Sequence, residues 1–294
     1  DNLTFNAKSM SVTQDINTNN VVFNIEDALS VSSTINAQDV TVTTLGAQSS
    51  FVVTSTAKLN LSDDLKINAK NSVTIDGSLV ANGDNSSLVI DANVLTLNGV
   101  VSATNDIDLT ASALTYAQTA QFISVNANSQ LNVHLLENAV LDTAFNYNGS
   151  LNIKSDANLE FNNVTMALEG INFLRVESKG DIGLVGATLS SQELIALSAS
   201  TKMSIDAASN VSSDKEIVLQ ANDDFSLFGS LNSQTQAGTN VRVASYNTLT
   251  VGENSAIFAN ELVHLKASYL EVNGNVNSLN GDSRVLLNAN QNIN

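Results

Sequence analysis

The chain has 294 residues and a formal net charge of −17, from 29 acidic and 12 basic residues, and it contains no Cys, no Pro and no Trp. With no basic stripe along any segment it offers nothing for phosphate contact, so nucleic acid is not expected as a partner; with no Cys it has neither disulfides nor the usual zinc sites. No run of 18 apolar residues and no charged-then-apolar leader occurs, so neither membrane insertion nor a signal peptide is read from it.

The missing Pro is informative, because ordinary chains carry about 5% of it. Its absence points to a backbone whose N–H groups are nearly all needed for ladder bonds, since Pro cannot donate one. The acidic balance suits a long, flat β surface that must stay soluble and resist sideways association. A Cys-free composition fits either a cytosolic protein or a bacterial exoprotein that crosses membranes unfolded.

Taken in chain order, the first 60 residues are loosely patterned, with Leu3/Phe5/Ala7, Phe23/Ile25 and Val40/Val42 as the expected strand rows. The pattern becomes strict from Asp64 to Ala92, which reads DLKINAKNSVTIDGSLVANGDNSSLVIDA. It holds Leu65-x-Ile67-x-Ala69 and Leu88-x-Ile90-x-Ala92 with Val73-x-Ile75 between them. An apolar residue at every second position places one row of side chains on one face of a strand. The same phrase then begins at Ile107, Leu131, Leu151, Leu174, Ile195, Ile217, Val241, Val263 and Val285. From Leu65 onward the steps run from 19 to 24 residues and average 22, a period that marks a solenoid.

A second alternating pair follows the first, as in Leu95/Leu97, Leu159/Phe161, Ile182/Leu184, Met203/Ile205, Phe225/Leu227, Leu249/Val251 and Leu270/Val272. Bends carry Asp76-Gly77, Asn98-Gly99 and Asn273-Gly274, residues that accept positive φ at low cost. Two strands, a shorter third and few residues for each bend predict an all-β fold. It is a single-stranded, three-sided parallel β-helix of about 13 coils. Propeller blades repeat at about twice this interval. The core is assigned to Leu65, Ile67, Val73, Ile75, Leu88, Ile90, Ile107, Leu109, Leu151, Ile153, Ile195, Leu197, Val263 and Leu265. Inward small residues such as Ala69, Ala111, Ala199 and Ala267 turn the corners, and stacked Asn there are expected to form amide ladders.

The spacing breaks over residues 116–149, which gather Phe122, His134, Phe145 and Tyr147; a third-side strand from Phe122 to Ala127 and a bulge or small loop are expected there. Otherwise 1–294 reads as one continuous β-helix, and because neither end carries a readable cap, as a fragment of a longer rod.

Carbohydrate chemistry on a β-helix needs carboxylates from adjacent coils at one strand position. The outward first-strand row reads Lys66, Val89, Asp108, Asn132, Asn152, Arg175, Ala196, Val218, Arg242, His264 and Leu286, with no neighbouring acids. The second row reads Thr74, Thr96, Glu160, Gly183, Ser204, Ser226, Thr250 and Glu271, a hydroxyl-rich ladder. Asp63-Asp64, Asp223-Asp224 and Asp106/Asp108 admit a calcium or sugar site, against the plainer reading that Asp is a favoured turn residue. His134 and His264 have no partner at metal spacing and read as surface histidines. No nucleophile, phosphate-loop or metalloprotease motif occurs. The expectation is therefore no catalytic, cofactor or metal site, no cofactor and no enzymatic activity.

Segments such as IDLTAS from Ile107, ELIALSAS from Glu193, EIVLQA from Glu216 and LVHLKAS from Leu262, each followed by a second strand and a Gly or Asn bend, resemble the repeats of filamentous haemagglutinin-like exoproteins. The resemblance covers most of the chain from about residue 60. It implies a right-handed β-helical stalk exported by two-partner secretion, extracellular or on the bacterial cell surface, that presents or spaces adhesive or effector parts. The family's secretion domain, with its Asn-Pro-rich motifs, is absent from a chain without Pro. The implied partners are a host or neighbouring-cell surface. Alternative readings are a filament subunit that stacks on copies of itself end to end, and a carbohydrate-binding or carbohydrate-active β-helix.

Overall fold

The computed structural model describes residues 1–126, 128–145, 147, 149–170, 172–233, 236–279 and 283–294. Among these residues there are 33 β-strands and no helix. Parallel strands stack as a β-solenoid of about 13 turns, about 22 residues apart. Alternation explains it: each strand turns every second side chain inward, and its backbone pairs residue for residue with the coil before and after. Among the described residues no helix is long and apolar enough to cross a membrane. The chain divides into two compact units, residues 1–136 with 145–151, and residues 137–144 with 152–294.

In the first unit, the first and second sides usually run as one strand: Asn2–Val12, Asn20–Val31, Leu65–Ile75, Leu88–Leu97 and Ile107–Tyr116. Gln130–Leu135 is a first-side strand on its own, and Asp39–Thr44 and Ser50–Val53 are separate because residues 45–49 form a loop between them. This loop lengthens the step from Val40 to Leu65, which are in register, to 25 residues. Its base is closed by a buried hydrogen bond of 2.8 Å between the Thr44 and Ser49 hydroxyls. The upstream coils differ from the sequence reading by one detail. Leu3 pairs with Val21 and Val21 with Val40, so the second coil starts two residues before Phe23. A two-residue slip keeps the same side chains inward, and Phe23 still stacks on Phe5 at 5.3 Å.

The third side of this unit is a sheet of six short strands: Ile16–Asn17, Thr34–Ala37, Lys58–Leu61, Ser78–Ala81, Val100–Ala103 and Gln121–Ser124. The last ends at Ser124, with Val125 exposed; Ala127, the expected end, lies outside the described residues. Around it Tyr116, Phe122 and Phe145 pack together, with Tyr116 stacked on Phe145 at 4.3 Å. Tyr147 lies buried beside them and donates a 3.0 Å hydrogen bond to Ser124 Oγ. Burial pushes its phenol up to about 12, against the lowering effect of that bond.

In the second unit the first two sides are separate strands. Leu194–Ala199 and Met203–Ile205 form one such pair, Glu216–Ala221 and Phe225–Leu227 the next. The reason is a three-residue bend, 200–202 or 222–224, after the inward Ala199 or Ala221. Ala267 and Leu270 have one residue fewer between them, and there a single strand, Leu262–Val272, covers both sides. The third side is a separate sheet of six strands, from Thr165–Leu168 to Asn275–Ser278.

Candidate functional site

The residues assigned to the core are stacked apolar columns. Leu65, Leu88 and Ile107 pair in register on the first side, as do Ile67, Ile90 and Leu109. Val73 and Ile75 begin the second-side columns. In the second unit Ile195 and Leu197 lie in the same inward columns as Val263 and Leu265. With Leu151 and Ile153, all fourteen are at most 2% exposed. They carry shape and no chemistry.

Polar chemistry sits at the corners. The small residue that ends the inward first-side row is Ala69, Ala92 and Ala111 in successive coils, and Ser178, Ala199, Ala221 and Ser245 in another set. The buried serines answer backbone groups that the bend frees. Ser178 Oγ donates to the Ala157 carbonyl at 2.6 Å and accepts from Gly180 N–H at 3.0 Å. Ser245 Oγ donates to the Asp223 and Thr248 carbonyls.

The residue just before or at the start of a strand is often Asp or Asn, and its side-chain oxygen accepts the N–H of the equivalent residue one coil on. Asp39 accepts from Asp64 at 3.1 Å, Asp64 from Ser87 at 2.8 Å and Asp106 from Gln130 at 2.8 Å. Of the acidic doublets, then, Asp64 and Asp106 hold a neighbouring coil, as Asp224 does through Thr248 N–H and the Asn247 amide. Asp108 accepts from the Asn132 amide at 2.7 Å. Among the described residues no three His, Cys, Asp or Glu groups gather as a metal set would require. His264 lies 3.0 Å from the Asn288 amide through Nε2. Burial, then Arg242 and Lys266, hold its imidazole below the usual range. Stacked amides occur both on a strand, where Asn60 donates to Asn36 at 3.0 Å and Asn36 to Asn17 at 2.7 Å, and at a corner as expected, where Asn126 donates to Asn105 at 2.6 Å. Ion pairs also bridge coils, as in Lys179–Asp156 at 2.7 Å and Arg242–Glu216 at 3.0 Å.

A groove of about 590 Å³ crosses the second side of the second unit, over the strands Ala139–Leu141, Leu159–Asn162, Ile182–Val185, Met203–Ile205 and Phe225–Leu227. Register places two side-chain columns along it. The outward column is Val140, Glu160, Gly183, Ser204 and Ser226; the corner column is Asn138, Asn158, Asp181, Lys202 and Asp224. The corner groups are held by the backbone: Asn138 Oδ1 accepts from Asn158 N–H at 3.0 Å, Asn158 Oδ1 from Asp181 N–H at 2.9 Å, and Asp181 Oδ1 from Lys202 N–H at 2.9 Å. The Thr201 hydroxyl and then that Lys202 N–H hold the Asp181 carboxyl below the usual range, so it is charged at neutral pH. Lys202 Nζ reaches Asp224 at 3.7 Å.

The outward row of this face is legible from sequence, but the groove is not, since it is formed by residues of five coils brought side by side, with Gly183 on its floor. A second hollow, in the first unit, is lined by Asn17, Asn36, Asn60 and Asn82. Asn36 there is already committed to its neighbours on both sides. No family model, curated protein or solved structure matches the chain.

Proposed function

We propose that this chain is structural: a non-catalytic stalk of an adhesin-type bacterial exoprotein of the filamentous haemagglutinin-like kind, standing outside the cell and spacing adhesive or effector parts. The observation that carries the reading is where the polar side chains point. Asp39, Asp64, Asp106, Asn138, Asn158 and Asp181 each hold the backbone of the next coil. Lys179–Asp156, Lys215–Glu193 and Arg242–Glu216 tie neighbouring coils by charge. Side chains used in this way brace a scaffold against unwinding. A chain without Pro or Cys also suits export in an unfolded state followed by ladder formation outside.

Antibody raised against the purified chain tests this on intact cells of the source bacterium, with external protease as a second probe. Surface labelling that the protease removes is expected. Labelling only after the cells are broken open would overturn the stalk reading.

A further inference from the structure

We infer that the groove over Gly183 binds an uncharged oligosaccharide lying along the stack of coils. This goes beyond the stalk reading and does not depend on it, since it concerns the purified chain alone.

The first ground is Gly183 itself. Among the described glycines, positive φ occurs at Gly170, Gly186 and Gly238, so the backbone at Gly183 makes no demand for glycine. Packing makes none either: a Cβ there would meet Glu160 Cγ at 3.6 Å and Ser204 Oγ at 3.7 Å, ordinary contacts. Gly in a strand interior weakens the strand and often marks a bulge, a tight bend or close approach by a ligand; register runs unbroken through Gly183, so there is no bulge.

The second ground is the pattern of donors and acceptors. Because Asn138 and Asn158 use their amide oxygens on backbone N–H groups, their orientation is fixed and each presents its NH2 as a donor. Asp181 follows with its second oxygen as an acceptor, then the Lys202 ammonium. One such group recurs per coil, at the strand spacing of about 4.8 Å, close to the length of one pyranose unit. Ser204 and Ser226 add hydroxyls on the groove floor.

The third ground is apolar relief beside these polar groups. Val140 in the groove is 58% exposed, and exposed Val185 and Phe228, the latter just past its strand, stand two residues beyond Gly183 and Ser226, in a row otherwise made of Asp142, Asn162 and Asp206. A sugar ring offers C–H faces to such patches while its hydroxyls reach the polar column. Charge narrows the class: Glu160, Asp181 and Asp224 outnumber Lys202, which disfavours acidic glycans. A polypeptide strand is disfavoured too, because the backbone under the groove is already paired on both sides and offers no edge for strand addition.

The test is an array of immobilised cellohexaose, xylohexaose, mannohexaose and chitohexaose, with heparin and polygalacturonate as acidic probes and an extended polypeptide as a further one. The labelled chain should be retained on at least one uncharged hexasaccharide and on none of the other probes. Gly183→Ile puts a branched side chain into the middle of the groove, and Asn158→Asp keeps the oxygen that holds Asp181 N–H but replaces the donor. Each should weaken retention by about tenfold or more, the loss of one or two well-placed polar contacts. Both variants should melt at or near the wild-type temperature. Gly183→Thr, which matches Thr74, Thr96 and Thr250 in the same row, serves if the larger side chain disturbs folding. No retention on any uncharged probe, retention on the acidic or polypeptide probes instead, or equal retention by folded Gly183 variants would overturn the proposal.

Discussion

Single side chains in this protein are read through their column, because each has an equivalent about 4.8 Å above and below it. Ile90 stands between Ile67 and Leu109 in the first-side core and is wholly buried. Ile90→Asp would place a charge where neither neighbour can answer it. It should lower stability by several kcal/mol, about the cost of burying an unpaired polar or charged group. Urea denaturation followed by circular dichroism measures it, and an unchanged midpoint would contradict the register. Two glycines show how differently one residue type is used. At Gly99 an added Cβ would run into the carbonyl oxygen of Gly77 in the coil below, so close stacking itself excludes a side chain. At Gly183 a Cβ fits, so packing within the stack does not call for glycine.

The working element is the coil rather than the strand. Each contacts its two neighbours, so stability is approximately a sum of coil terms and nearest-neighbour terms. Removing residues 217–240 joins Glu216 to Val241, and since Ile217 and Val241 are in register, the cut replaces one coil start by the next. That deletion should give a folded protein with a cooperative melt. Removing only residues 217–228 leaves half a coil and should not fold. Circular dichroism and thermal melts separate the two, and equal behaviour would argue against the coil as the unit. The coil was largely legible in the sequence, since the inward row repeats as Leu-x-Ile or Ile-x-Leu and the structure keeps the uneven steps from Leu65 to Leu88 and Ile107. Val21, Phe23 and Ile25 offered two starting points on the same face, and only stacking on Leu3 selects Val21. The corner serines could be read as small inward residues, but the carbonyls that Ser178 and Ser245 answer come from bends one coil away. The groove was beyond sequence reading for a related reason: its lining comes from five coils and exists only when they are in register.

Over the molecule as a whole, the chain repeats one supersecondary unit and varies its outward residues. The inward columns and the corner bonds specify the stack, and the outward rows are left to carry recognition. This division places the proposed sugar groove on the outward face and explains why Gly183 can be changed without touching the core. All of this rests on the in-register parallel stack, and the absence of Cys allows that stack to be measured with nitroxide pairs at introduced cysteines. In the second unit, Glu271 is separated from Ser204, Glu160 and Val140 by three, five and six coils in the outward second-side row. Double electron–electron resonance should give backbone separations of about 14, 24 and 29 Å, rising by about 4.8 Å per coil. Distances that fail to rise with coil number, or that follow a hairpin order instead, would contradict the stack.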